Sequence, residues 1–238
     1  MKLFCIPYSG ASAAVYTAWK KDISPEIEIC PVELSAHGRR MNEPVYEDLP
    51  GAVKDVALQI LKQLKKNEPY AILGHSMGSL LAFEVYHVLV AAGVHEPVCM
   101  FFSGRKSPQD QVASTEFYKA SDEDFLKVVY MYGGTTPAIM QNEELRNLFI
   151  PILRSDFKLT ETYTWREHIN KMHCPIVIAN GENDLSVSNA DMNRWAELTD
   201  NVCNIYTCKG DHFFLFQNTK EMVDIINGQI GSLHKPKA

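Results

Sequence analysis

The chain has 238 residues, 46% of them hydrophobic and 22% charged, with a formal charge of −6, ordinary values for one folded domain that buries roughly three quarters of its unfolded surface. The acidic balance argues against nucleic acid as a partner, and no apolar run approaches the ~20 residues of a membrane span. The opening Met1-Lys2-Leu3-Phe4-Cys5-Ile6-Pro7 lacks the layout of a signal peptide, so a cytoplasmic protein with reduced cysteines is expected.

In chain order, six short apolar segments read as strands: Lys2–Pro7, Ile27–Pro31, Tyr70–Leu73, Pro97–Phe102, Pro175–Ala179 and Val202–Cys208. Cys5, Cys30, Cys99, Cys174, Cys203 and Cys208 each fall in or beside such a segment, where a free thiol acts as a small hydrophobe. Between the second and third strands, Val53, Val56, Ala57, Ile60, Leu61 and Leu64 recur at helical spacing. The third strand leads into Leu80–Ala92, apolar nearly all round, as a helix buried against a sheet should be. About seventy residues then separate Phe102 from Pro175, too many for a simple crossover. Helical spacing in Phe117, Phe125, Val128, Val129 and Met131, then Leu145, Leu148, Phe149 and Leu153, predicts a helical insertion; one long crossover helix is the alternative. Asn218 with Glu221 signals a last helix carrying Met222, Ile225, Ile226 and Ile230. Strands alternating with helices predict an α/β fold: a mostly parallel sheet flanked by helices, one domain over 1–238, with a lid inserted at about 105–170.

The chemistry centres on Gly74-His75-Ser76-Met77-Gly78. A Gly-x-Ser-x-Gly between strand and helix is a nucleophile elbow of the α/β-hydrolase fold: it exposes the serine on a strained turn, and small flanking residues let strand and helix approach. Here an apolar strand ends at Leu73 and a helix is expected from about Ser79. A serine hydroxyl needs a base. Of eight histidines, His212 lies on a loop after the last strand, in the serine–acid–histidine order of this fold. His37, in Ser35-Ala36-His37-Gly38-Arg39-Arg40, is the rival, and His75 should point away from the nucleophile. Asp184 follows the penultimate strand and is the expected acid; Glu182, Asp191 and Asp110 compete, while Asp211 reads as a loop residue. Two backbone amides should hold an oxyanion: that of Met77, after the nucleophile, and one from Tyr8–Ala13, with Ser9 preferred to Gly10.

On these residues the sequence resembles the type II thioesterases of non-ribosomal peptide and polyketide synthetases, nearly end to end. Cys5–Ala11 resembles their opening strand and oxyanion loop, and Leu34–Arg40 a proline-glycine-arginine loop in which Ser35 and Ala36 replace the usual proline and glycine. Gly74–Gly78 is similar to their elbow; Tyr132–Pro137 and Pro151–Phe157 resemble segments of their lid; Asn180–Asp184 and Gly210–Phe213 complete the pattern. The resemblance implies hydrolysis of acyl groups from the 4′-phosphopantetheine arm of acyl or peptidyl carrier proteins, clearing misprimed or stalled carriers. No metal or redox cofactor is required, and a monomer is expected. Carrier docking would use an apolar patch edged by Arg39, Arg40, Arg105 and Lys106. A lipase or small-molecule esterase would use the same triad on an oxygen ester; a non-enzymatic receptor of this fold would normally have lost part of it.

Overall fold

A computed structural model describes residues 1–110, 116–131, 142–166 and 170–233. Its centre is a parallel sheet of β1 (Lys2–Ile6), β2 (Glu28–Pro31), β3 (Tyr70–His75), β4 (Cys99–Ser103), β5 (Ile176–Gly181) and β6 (Cys203–Cys208), in the order β2-β1-β3-β4-β5-β6. The four inner strands are buried at every residue, because a parallel sheet is covered on both faces and its strands read as continuous apolar runs. Each expected strand is present, shifted at its ends by one or two residues.

Alternate side chains feed two cores. Phe4, Ile6, Ile72, Met100, Phe102, Ile176 and Ile178 pack with α1 (Leu49–Gln63) and α2 (Met77–Ala91). Leu3, Cys5, Leu73, Phe101 and Val177 pack against Tyr16 and Trp19 of a 3₁₀ segment and against Met222, Val223, Ile226 and Ile230. All six cysteines are free, and all but Cys203 are buried.

The segment between β4 and β5 holds more than one helix. α3 (Asp122–Met131) and α4 (Glu143–Glu161) share a small core of Phe125, Leu126, Val129, Ile150 and Leu153. Asn142 caps α4 by accepting the Leu145 N–H at 3.1 Å. The apolar face differs slightly from expectation: Met131 and Leu148 are exposed, whereas Ser155 and Asp156 are buried. The lid-like sequence Tyr132–Pro137 lies outside the described residues. After β5 come α5 (Asn189–Asn193), α6 (Phe214–Gln217) and α7 (Thr219–Leu233). At the start of α7 the Asn218 side chain donates to the Glu221 carboxylate at 2.6 Å. The loops that leave β1, β3, β4, β5 and β6 at their carboxyl ends carry the candidate site residues.

Candidate active site

Ser76 joins β3 to α2 with φ 54° and ψ −115°, a left-handed conformation that a side chain rarely tolerates. The helix begins at Met77, two residues before the expected start. Its neighbours show how the turn is held. A Cβ on Gly74 would strike the Gly78 carbonyl, and one on Gly78 would strike the Ile6 carbonyl. The Ser76 N–H donates to the Ser103 carbonyl of β4 at 2.8 Å. Buried Ser79 braces the same turn: its hydroxyl lies 2.8 Å from the Gly74 carbonyl and 2.9 Å from that of Ser103. It also accepts the Ser103 N–H at 2.9 Å.

Asp184 and His212 leave β5 and β6 side by side. Asp184 Oδ2 meets His212 Nδ1 at 2.8 Å, with the two side chains 2% and 13% exposed. Asp184 Oδ1 accepts the Ser186 N–H at 2.9 Å and its hydroxyl at 2.6 Å. Backbone bonds stitch the two loops: Glu182 N–H to the Cys208 carbonyl, at 2.8 Å, and Asn183 N–H to that of Gly210, at 2.9 Å. Burial pushes the Asp184 carboxyl up, but the bonds from His212 and Ser186 outweigh it and leave its pKa below the ordinary range. That contribution to stability is therefore present above the usual aspartate range and is lost as pH falls through the lowered value.

Of the competing carboxylates, Asp110 and Asp191 are engaged elsewhere, as is the loop residue Asp211. Asp110 pairs with Arg194 at 3.0 Å, Asp191 accepts from Ser188 at the start of α5, Asp211 accepts from Gln217 and the Phe213 N–H, and Glu182 is exposed. His75 is fully buried, with Nδ1 2.7 Å from the Ser103 hydroxyl. Its ring lies 5.1 Å from that of His212, centroid to centroid. Burial, then the neighbouring His212, drives its pKa well below the usual value, so it stays neutral. Gly104, at φ +62°, lets both rings approach: its Cβ would meet His75 and come within 3.3 Å of His212.

The loop after β1 faces the start of α2, where the Ser9 hydroxyl lies 3.7 Å from Met77 Sδ. The Met77 N–H is the first amide of its helix and so lacks an intrahelical acceptor. Within the loop, the Gly10 N–H donates to Asp156 of α4 at 2.7 Å, and the Ala11 N–H to the Tyr8 carbonyl at 3.1 Å.

His37, the expected rival base, is paired with Asp156 at 2.9 Å. Burial lowers its pKa, but the Asp156 carboxylate outweighs that and raises it. In the same loop Ala36 has φ +65°, a conformation that glycine adopts freely. The Ser35 N–H donates to the Tyr46 hydroxyl at 3.0 Å, which a proline could not do. Two members of the expected basic rim are paired within the fold: Arg40 with Glu43 and Asp55, and Lys106 with Asp191 at 3.5 Å; Arg39 is exposed and Arg105 half-buried. Sequence reasoning missed the roles of Ser79, Ser103, Gly104, Ser186 and Asp156. Only Asp156 left a signal, as a carboxylate one turn after Leu153 on an apolar helix face.

A family model described as a thioesterase domain matches residues 1–230. The chain is 32% identical over 237 residues to the gramicidin S biosynthesis protein GrsT of Aneurinibacillus migulanus, covering 100% of this chain and 91% of that protein. It is similar to the crystal structure of ClbQ from the colibactin NRPS/PKS pathway, with 32% identity, a TM-score of 0.93, and coverage of 98% of this chain and 97% of that one. The type II thioesterase BorB from the borrelidin biosynthetic cluster gives 28% identity and a TM-score of 0.86 over 96% of this chain and 92% of that one. The architecture is thus the α/β-hydrolase fold expected from the sequence.

The collision that a Cβ at residue 74 would cause has a measurable consequence. Gly74→Ala should cost roughly 2–3 kcal/mol by overpacking, lower Tm by about 5–10 °C, and slow labelling of Ser76 by a fluorophosphonate. Gly228→Ala on α7, where a Cβ meets open space, should raise Tm instead, because alanine favours a helix over glycine. Equal thermal behaviour of the two variants would refute the packing account of the elbow.

Proposed function

The chain belongs to the thioesterase family and hydrolyses thioesters, and we propose that its substrate is an acyl group on the 4′-phosphopantetheine arm of a carrier protein in a non-ribosomal peptide or polyketide synthetase. Similarity to GrsT, ClbQ and BorB over nearly the whole chain supports that substrate. The work would be removal of misprimed or stalled acyl groups, by a monomer in the cytoplasm, where six free cysteines suit a reducing compartment. Among the described residues no helix is long and apolar enough to cross a membrane.

The observation that carries the mechanism is the 2.8 Å Asp184–His212 pair, with the His212 ring 5.1 Å from that of His75, the residue before the strained Ser76. Ser76 Oγ attacks the thioester carbonyl and passes its proton to His212 Nε2. Asp184 fixes the imidazole tautomer through Nδ1 and stabilises the imidazolium. The tetrahedral oxyanion is held by the amides of Met77 and Ser9; the Gly10 N–H is already given to Asp156, which supports the choice of Ser9. Collapse releases the pantetheine thiol, protonated by His212, and leaves an acyl-serine. Water deprotonated by the same histidine then attacks the ester and frees the acid. The cycle needs no metal or redox cofactor. The helices between β4 and β5 serve as the lid of this site.

Ser76→Ala and His212→Ala should each lower kcat by several orders of magnitude, and the double variant should lose little more than either. Asp184→Asn should lose about 10³–10⁴ in kcat while staying folded. A circular-dichroism spectrum paired with turnover of an acyl-pantetheine thioester checks all four, and near-normal turnover by folded Ser76→Ala would end the mechanism.

Carrier recognition predicts a second result. The chain's own charge of −6 offers no long-range attraction to an acidic carrier, so docking contacts must supply the binding energy. An acyl group on a carrier protein should show a higher kcat/KM than the same group on free coenzyme A, changing only mildly with salt. Equal values would favour a general acyl-thioester hydrolase, and faster cleavage of the matching oxygen ester would favour an esterase.

A further inference from the structure

We infer that Asp156 and His37 are positioning residues for the oxyanion, tying helix α4 to the loop that carries the Ser9 amide. The inference rests on the reading of Ser76 and Ser9 given above. Asp156 is 1% exposed, and a carboxylate so buried requires donors and a counter-charge. One oxygen, Oδ2, finds both: the Gly10 N–H at 2.7 Å and His37 Nε2 at 2.9 Å.

The protonation of His37 follows from geometry. Nε2 faces a carboxylate, and Nδ1 lies 2.8 Å from the Ser35 carbonyl. A carboxylate and a carbonyl both accept, so this geometry suits a proton on each ring nitrogen, and the Asp156 carboxylate accordingly raises the His37 pKa. A neutral tautomer would turn a lone pair on one of those oxygens. The titratable groups facing His37 are Asp156 from α4 and Glu33 from its own segment.

The pair acts on the backbone of the oxyanion loop. Because the peptide is planar, fixing the Gly10 N–H fixes the Ser9 carbonyl and limits rotation about Ser9, whose own N–H is the donor. Leu153, one turn before Asp156, occupies the space that a Cβ on Gly10 would need. The far end of the loop is held from the segment that carries His37: Glu33 accepts the Ala13 N–H at 2.8 Å and the Ser12 hydroxyl at 3.0 Å. A buried ion pair is a poor device for stability alone. Here it makes the oxyanion donor depend on the seating of α4.

The test compares Asp156→Asn, His37→Gln and His37→Arg with the unmodified protein, by kcat and KM on an acyl-pantetheine thioester and by the fluorophosphonate labelling rate of Ser76. Asp156→Asn and His37→Gln should lose about 10–100-fold in kcat and in labelling rate, with KM within about threefold, as expected for a weakened oxyanion donor. The unmodified protein should lose kcat as pH rises through the raised pKa of His37, since the cation stabilises only below it. His37→Arg, a permanent cation, should restore activity over His37→Gln and abolish that alkaline loss. Unchanged kcat and labelling in folded Asp156→Asn would overturn the inference, as would a lowered Tm with normal labelling of the folded fraction. If Asp156→Asn does not fold, the two His37 variants decide by the same readouts. Should the unmodified protein label at Ser76 but cleave no thioester, the substrate reading fails, and the labelling rates still judge the positioning role.

Discussion

The left-handed backbone at Ser76 sets the terms for everything around it. A non-glycine residue held in such a region costs on the order of 1–3 kcal/mol and persists only where its surroundings over-determine it. Here they do: the Ser76 N–H is fixed on the Ser103 carbonyl, Ser79 bonds to both flanking strands, and Gly74 and Gly78 allow contacts that no side chain would permit. The turn places Ser76 directly before the first amide of α2, so in the proposed mechanism nucleophile and anion-binding amide come from one distortion. The parallel sheet then supplies partners cheaply in sequence terms, because each neighbouring strand ends on the same side.

Asp184–His212 and Asp156–His37 are both histidine–aspartate pairs, and the partners of each ring distinguish them. His212 meets Asp184 through Nδ1 and is 13% exposed; the proposed mechanism uses its Nε2 to exchange a proton with the substrate. His37 is 3% exposed on its side chain and meets acceptors at both nitrogens. As the inferred imidazolium it has no lone pair for a serine hydroxyl and holds charge and shape instead. In the proposed account the same residue pair serves proton transfer in one place and backbone positioning in the other.

Local order was legible from the amino-acid pattern. The six strands showed as apolar runs, the elbow as a five-residue motif in the right context, and Asp184 and His212 by following the last two strands. What escaped was contact across the chain. Asp156 bonds to Gly10 over a separation of 146 residues and to His37 over 119, and no periodicity encodes such a pairing. Ser79 and Ser103 were hidden because a buried serine in an apolar helix or strand looks like filler until the carbonyls it braces are in view. The pairing of Arg40 with Glu43 and Asp55 was hidden for a related reason, since charge counts do not reveal such partners.

The central claim is that Ser76 becomes acylated and that the acyl group then passes to water. Acid quench in the first turnovers with an acyl-pantetheine thioester, followed by peptide mass spectrometry, tests it directly. The account predicts the acyl mass on the peptide containing Ser76, appearing and decaying at rates consistent with turnover. Thioester hydrolysis with the acyl group on another residue, or with no acyl-enzyme at any quench time during a demonstrable burst of thiol release, would contradict it.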